Sequence, residues 1–228
     1  MRIALALLLV LITATSAFAQ IPKYELKGSL SWALSEGVSF NGEEVDLPDG
    51  STAFFNRLDL SDGLTFGAGA SMYLSRELEL GFLWDYQQSE IVARGSQSLK
   101  IGDLGIDNYH GVLIYNFGRP IDTVRPILFG GLGATVFRNV EYTGLNGNGD
   151  PVPRSTGTNG RFSTTWGAGV KLYPGKTFGI QLDFKWTPTW IKSEPGGYWC
   201  DPWYGCYTTS SYDYANQWKF GGTLLARF

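Results

Sequence analysis

Residues 214–228 carry an alternation that few folds accommodate. Trp218, Phe220, Leu224, Ala226 and Phe228 share one parity, and Gln217, Lys219, Thr223 and Arg227 hold most of the other. Successive side chains of an extended strand point to opposite faces, so this segment is apolar on one side and wet on the other. Leu225 alone interrupts the pattern. Hydrophobic residues make up 43% of the chain, yet beyond residue 19 no segment reaches the ~20 consecutive apolar residues of a membrane-crossing helix. An aromatic content of 15% and thirty glycines, beside one His and two Met, favour strands throughout.

The opposite terminus reads as a secretory leader. Arg2 gives a short positive start, residues 3–12 are apolar, and Ala17-Phe18-Ala19 is a small-x-small cleavage site. Removing residues 1–19 from the 228 leaves 209, beginning at Gln20; a Gln there rather than a Cys argues against a lipid-anchored form. The leader takes one of the 18 basic residues with it, so 17 face 21 acidic ones, a balance that speaks against a nucleic-acid partner. Residues 20–228 are expected to form one domain.

The alternation of the last segment recurs along the chain. Near residues 24–34, Tyr24, Leu26, Leu30, Trp32 and Leu34 oppose Glu25, Lys27, Ser29 and Ser31. Near 64–74, Leu64, Phe66, Ala68, Ala70, Met72 and Leu74 oppose Thr65, Gly67, Gly69, Ser71 and Tyr73. Residues 77–88, 108–117, 126–136, 162–173 and 177–186 repeat the motif, so eight strands are expected in all. Each is weak evidence alone, and repetition is the signature of a strand-built membrane span.

The connections sort into two kinds. Ser75-Arg76, residues 118–123 and Pro174-Gly175-Lys176 are short turns; residues 35–62, 89–107, 137–161 and 187–213 are long and rich in Gly, Asn, Asp, Ser and Pro. Short turns at one end and long loops at the other is the layout of an antiparallel up-and-down transmembrane β-barrel, with turns and termini in the periplasm and loops outside the cell. The aromatics agree with that orientation. Trp32, Trp84, Tyr86, Tyr109, Phe162, Trp166, Trp186 and Trp218 fall at the expected outer rim, while Tyr24, Phe117, Phe178 and Phe228 fall at the inner one.

On these segments the chain resembles the small eight-stranded bacterial outer-membrane barrels of the OmpA/OmpX type. The residues carrying the resemblance are Asp62-Gly63-Leu64-Thr65-Phe66-Gly67, Glu77-Leu78-Glu79-Leu80, residues 125–134 and the terminal Phe228. The resemblance implies a monomer in outer-membrane lipid and lipopolysaccharide. It also implies folding by the barrel-assembly machinery and periplasmic chaperones, with Phe220, Leu224, Ala226 and Phe228 as the assembly signal. Nothing after the last strand matches the periplasmic domain of the two-domain members.

Eight strands leave only enough width for side chains to fill. The expected lumen carries Glu79, Asp85 and Asp183 against Lys27, Lys171, Lys185, Lys219 and Arg227, with His110 among them. Charges so confined need partners, which predicts a hydrogen-bonded ionic network; the rival is a narrow gated channel whose ion pairs exchange. Catalysis finds little support: His110 is the sole histidine, and no cluster has metal-ligand spacing, so neither cofactor nor metal is expected. The two cysteines, Cys200 and Cys206, are expected to pair in an oxidising compartment. The loop they close, residues 195–207, would display Trp199, Trp203, Tyr204 and Tyr207 to an extracellular ligand, or rest those rings on lipopolysaccharide.

Overall fold

A computed structural model of the chain describes residues 23–46, 52–119, 122–145, 151–155, 157–191, 198–201, 205–208 and 213–228, and the expected leader lies outside them. Among the described residues every regular element is a strand: β1 (Tyr24–Ser35), β2 (Val38–Asp46), β3 (Thr52–Leu60), β4 (Gly63–Tyr73), β5 (Leu78–Gly95), β6 (Ser98–Asn116), β7 (Val124–Phe137), β8 (Glu141–Leu145), β9 (Pro151–Ser155), β10 (Asn159–Leu172), β11 (Phe178–Ile191), β12 (Tyr198–Asp201), β13 (Gly205–Thr208) and β14 (Asp213–Arg227).

Eight of these close into an antiparallel ring in the order β1, β4, β5, β6, β7, β10, β11, β14 and back to β1. Following paired residues around the wall leads from Tyr24 to Met72, Leu80, Leu113, Gly130, Trp166, Trp186 and Trp218, and returns to β1 at Leu34. The stagger is therefore ten residues, from 24 to 34. Ten residues of rise spread over eight strand spacings tilt the strands by about 40° from the axis.

The alternation decides which face is which. Leu30, Leu64, Phe82, Leu132, Phe178, Leu182 and Leu224 stand exposed on the outside, while their neighbours Glu25, Lys27, Glu79, Lys171, Lys219 and Arg227 are buried within. A soluble protein would invert this arrangement. Leu225, the exception to the pattern, follows the parity of its strand and is buried at 1% exposure. Aromatics gather in two bands. Trp186 stacks on Trp218 with centroids 5.4 Å apart, and Trp190 meets Tyr214 at 4.9 Å at the loop end; Tyr115 meets Phe117 at 5.0 Å, and Tyr24 meets Phe228 at 6.2 Å, at the turn end. From Trp218 on β14 to Phe228 just past its end, the ten residue steps, tilted as above, span about 25 Å, the height of the apolar band of such barrels.

The short turns lie where the sequence put them. Ser75 Oγ accepts the N–H groups of Glu77 and Leu78 at 3.3 and 3.1 Å and fastens the first. Gly118 opens the second with φ 111°, a conformation that costs Gly little. The long connections differ from the expected irregular loops. β5 and β6, at 18 and 19 residues, run well past the ~10 that a span requires and pair to their tips. The hairpin β2–β3 lies beside them, with β3 paired to β5, so β2, β3 and the far ends of β5 and β6 form a four-stranded sheet beyond the wall. Their apolar residues still alternate, with Ala53, Phe55 and Ala93 buried against Leu58, Leu99 and Ile101, but the surrounding Gly, Asp and Ser hide that pattern in the sequence. Hairpins β8–β9 and β12–β13 occupy the two remaining long connections.

Candidate functional site

The inward residues of the eight strands form layers along the axis. Nearest the turns, Glu25 and Glu79 are both fully buried. Lys171 Nζ donates to Glu25 Oε1 and to Glu79 Oε1, each at 2.7 Å, and Lys27 lies 3.0 Å from Glu25 and 3.6 Å from Glu79. Tyr73 Oη donates to Glu25 Oε2 at 3.2 Å, and Tyr173 Oη donates to the same oxygen. Ser71 and Asn116 each donate to Glu79 at 2.8 Å. Arg227 stacks 3.7 Å above the Tyr173 ring and donates to the Lys176 carbonyl at 2.6 Å, tying the last strand to the third turn.

The middle layer is split. Val112, Ile114, Ile127, Phe129 and Leu83 pack together on the β5–β7 side. Lys27, Ser29, Gln181, Asp183, Lys185 and Thr223 face them across a cavity of about 20 Å³, room for about one water. Asp183 is half-buried and accepts from Gln181 at 2.7 Å and from Thr223 at 3.3 Å. The inward glycines create this geometry. A Cβ on Gly167 would strike the Phe129 ring and the Phe184 carbonyl, so Phe129 fills space that Gly167 leaves.

Nearer the loops, Asp85 receives Lys219 and, at 3.3 Å, Lys185, and accepts from Asn108 at 3.0 Å. Asn108 bonds Gln217 at 3.1 Å and Thr135 at 2.7 Å, and Gln217 reaches Gln87 at 2.8 Å. His110 Nε2 lies 3.0 Å from Ser163 Oγ, both buried. Beyond Asn108 the next inward residues of β6 are Ile106 and Leu104, and beyond Thr135 on β7 comes Phe137. These pack with Val140, Leu60 and Ile91, so an apolar layer covers the last polar one.

All nine residues named for the lumen, Lys27, Glu79, Asp85, His110, Lys171, Asp183, Lys185, Lys219 and Arg227, face inward. Six of them form two ionic groups, Lys27, Glu79 and Lys171 with Glu25, and Lys185 and Lys219 on Asp85. Sequence reasoning left out Glu25, the hub of the first group, although its parity beside Lys27 marks it. It also left out Arg125, buried at 0% exposure, because the fifth segment was drawn from residue 126 while β7 begins at Val124. Ser163 was missed as the neighbour of His110, since only the fold brings β6 and β10 together across β7.

At the seam, the Phe228 carbonyl accepts from the N–H groups of Lys23 and Tyr24, and the Phe228 N–H donates to the Tyr24 carbonyl, each at 3.0 Å. Phe220, Leu224 and Phe228 are exposed on the outer surface, and Ala226 is half-buried among them. In the fourth long connection, Cys200 stands opposite Cys206 and Trp199 opposite Tyr207 in the β12–β13 register; Trp203 and Tyr204 lie outside the described residues.

A closed ring of eight strands, apolar outside and polar within, is matched by the family model of the outer membrane protein beta-barrel domain over residues 4–223. The chain belongs to that family. Its place is the bacterial outer membrane. No curated protein aligns with the chain. Solved barrels do share its fold. The Neisserial surface protein A is 13% identical with a TM-score of 0.50, over 90% of this chain and 97% of that one. The outer membrane protein OprG from Pseudomonas aeruginosa is 10% identical with a TM-score of 0.53, over 90% and 95%. The outer membrane protein AlkL is 10% identical with a TM-score of 0.51, over 93% and 94%. At these identities the likeness concerns architecture.

Proposed function

We propose that this barrel is a non-conducting, monomeric outer-membrane protein whose task is to hold the membrane and to present the sheet β2–β3–β5–β6 and its neighbouring hairpins at the cell surface. The observation that carries the reading is the layering of the lumen: two ionic groups with an apolar half-layer between them, a cavity of about 20 Å³ beside that half-layer, and an apolar cluster beyond the last polar layer. An ion entering would have to break buried pairs, each of which costs several kcal/mol to open. The reading assigns the protein no chemistry of its own. His110 and Ser163 lie inside the wall, and among the described residues no carboxylate bonds His110 to orient it. Outer-membrane lipid and lipopolysaccharide would surround the belts, and barrel-assembly machinery and periplasmic chaperones would receive the Phe228 strand. Single-channel recording of the refolded protein in a planar bilayer tests the proposal. Silence from demonstrably folded, inserted barrels is the expected result. Discrete steps that change on neutralising Glu79 or Lys185 would replace it with a gated channel.

A second reading has its own observation. Directly opposed residues of an antiparallel pair have Cα atoms about 4.5–5.5 Å apart, within disulfide reach, and Cys200 faces Cys206 in that way. A disulfide there would fix residues 195–207 as a rigid aromatic tip suited to an extracellular ligand. Cells carrying Cys200→Ser with Cys206→Ser should lose surface binding if the tip is an adhesin, and unchanged binding would remove that role.

A further inference from the structure

Among the described residues the lumen beyond the Arg227 seam holds more cations than carboxylates. Lys27, Arg125, Lys171, Lys185 and Lys219 are buried cations, while the buried carboxylates facing inward are Glu25, Glu79 and Asp85, joined by half-buried Asp183. Five against four leaves a surplus of one inside a chain whose overall charge is −3. The surplus is sharpest at Arg125. Its cross-strand partner is Lys171, so two fully buried cations stand directly opposite, an arrangement that destabilises a sheet. Lys171 and Lys27 engage both nearby carboxylates, and none is left for Arg125. The Arg125 guanidinium spends Nη1 on Tyr73 Oη at 3.0 Å, while Nε and Nη2 have no protein acceptor. That pair of nitrogens is the edge with which a guanidinium grips an anion in two parallel bonds. The same chain uses it elsewhere: Arg138 donates from Nε and Nη2 to the two oxygens of Asp107 at 2.6 and 3.0 Å.

We propose that the turn end of the lumen binds a small monovalent anion, of halide or formate size, on the Nε–Nη2 edge of Arg125. Its charge offsets the Arg125–Lys171 opposition and completes the ionic layer around Glu25 and Glu79. Both nitrogens are closed to solvent in this packing, so the anion enters with a shift of the Tyr73 side chain that bonds the guanidinium through Nη1, and the smaller the anion the smaller that shift. The anion is a structural element of the filled lumen proposed above, but its binding can be read whether or not the barrel conducts.

The test is unfolding of the refolded full chain in lipid vesicles at fixed ionic strength, with chloride, bromide or formate replacing gluconate, a much larger anion. Anything that binds only the folded state raises stability with a saturating concentration dependence. The expected result is a saturable rise of several degrees in the unfolding midpoint with each small anion, absent in Arg125→Met. It should also be absent in Arg125→Lys, which keeps the charge and loses the fork. Equal midpoints in chloride and gluconate would overturn the proposal and leave water or a neutral lysine to relieve the charge. A chloride dependence that survives Arg125→Met would overturn the placement. Should both variants fail to fold, anomalous diffraction from bromide-grown crystals of the unaltered protein decides: a peak within hydrogen-bond reach of Nε and Nη2 supports the site, and its absence there rejects it.

Discussion

Glu25 and Lys171, 146 residues apart in the chain, meet at 2.7 Å inside the barrel, both fully buried. The contact links β1 and β10, three strands apart in the ring, and so holds the wall across the lumen rather than along its ladder. Removing one member of a buried pair is costly because the other keeps its charge. Glu25→Gln should lower unfolding stability by about 2–4 kcal/mol, read from the urea midpoint in vesicles, since Lys171 retains Glu79. Adding Lys171→Met should recover part of the loss, and a double variant as unstable as the sum of the singles would deny the coupling.

Asp85 carries two lysines, and its removal should be worse than removal of either. Asp85→Asn is expected to cost about 3–5 kcal/mol, while Lys219→Met, which leaves Asp85 with Lys185 and Asn108, should cost clearly less. Equal losses in the same urea titration would mean that Lys185 does not share the carboxylate.

The exposed pairs give the contrast. Arg94 lies 2.9 Å from Asp59, but its side chain is 63% exposed, and Arg57 contacts the same carboxylate. Arg94→Ala should change stability by no more than about 0.5 kcal/mol. A loss of 2 kcal/mol or more would show that the sheet beyond the wall contributes to the barrel's global stability.

Gly167 tests the packing between the ionic layers. Gly167→Ala drives a methyl into the Phe129 ring and the Phe184 carbonyl, and overpacking of this sort costs about 1–3 kcal/mol. Pairing it with Phe129→Leu should relieve the ring clash and leave the carbonyl one, so partial recovery in heat-modified gel mobility is the expected outcome.

The eight wall strands, their two faces and the turn ends were legible because period-two alternation is imposed twice, by lipid outside and by a polar lumen inside. Strand ends were not. β5 and β6 continue for several residues past the membrane, where no lipid enforces an apolar face and Gly102, Gly105 and Asp103 read as loop. The lumen's membership followed from parity alone, which is why Lys27 and Glu79 were found; the pairing did not, because Glu25 to Lys171 and His110 to Ser163 are choices made by ring closure. Arg125 was lost to a boundary error of two residues beside Pro126, which breaks the strand signal but is tolerated at the head of β7, with its ring facing outward.

The ten-residue stagger between Tyr24 and Leu34 has an evolutionary consequence. Because it is even, a residue facing the lipid is paired with lipid-facing residues all the way round the circumference. A single-residue insertion or deletion inside any one wall strand would turn the rest of that strand inside out, presenting lysines to lipid and leucines to the lumen. Descendants of this sequence can therefore lengthen or slide a wall strand only in steps of two, while the connections beyond the outer aromatic band are free to change by any number. Divergence in such a barrel is therefore expected to run through substitutions and two-residue steps in the wall, and through indels of any length outside it.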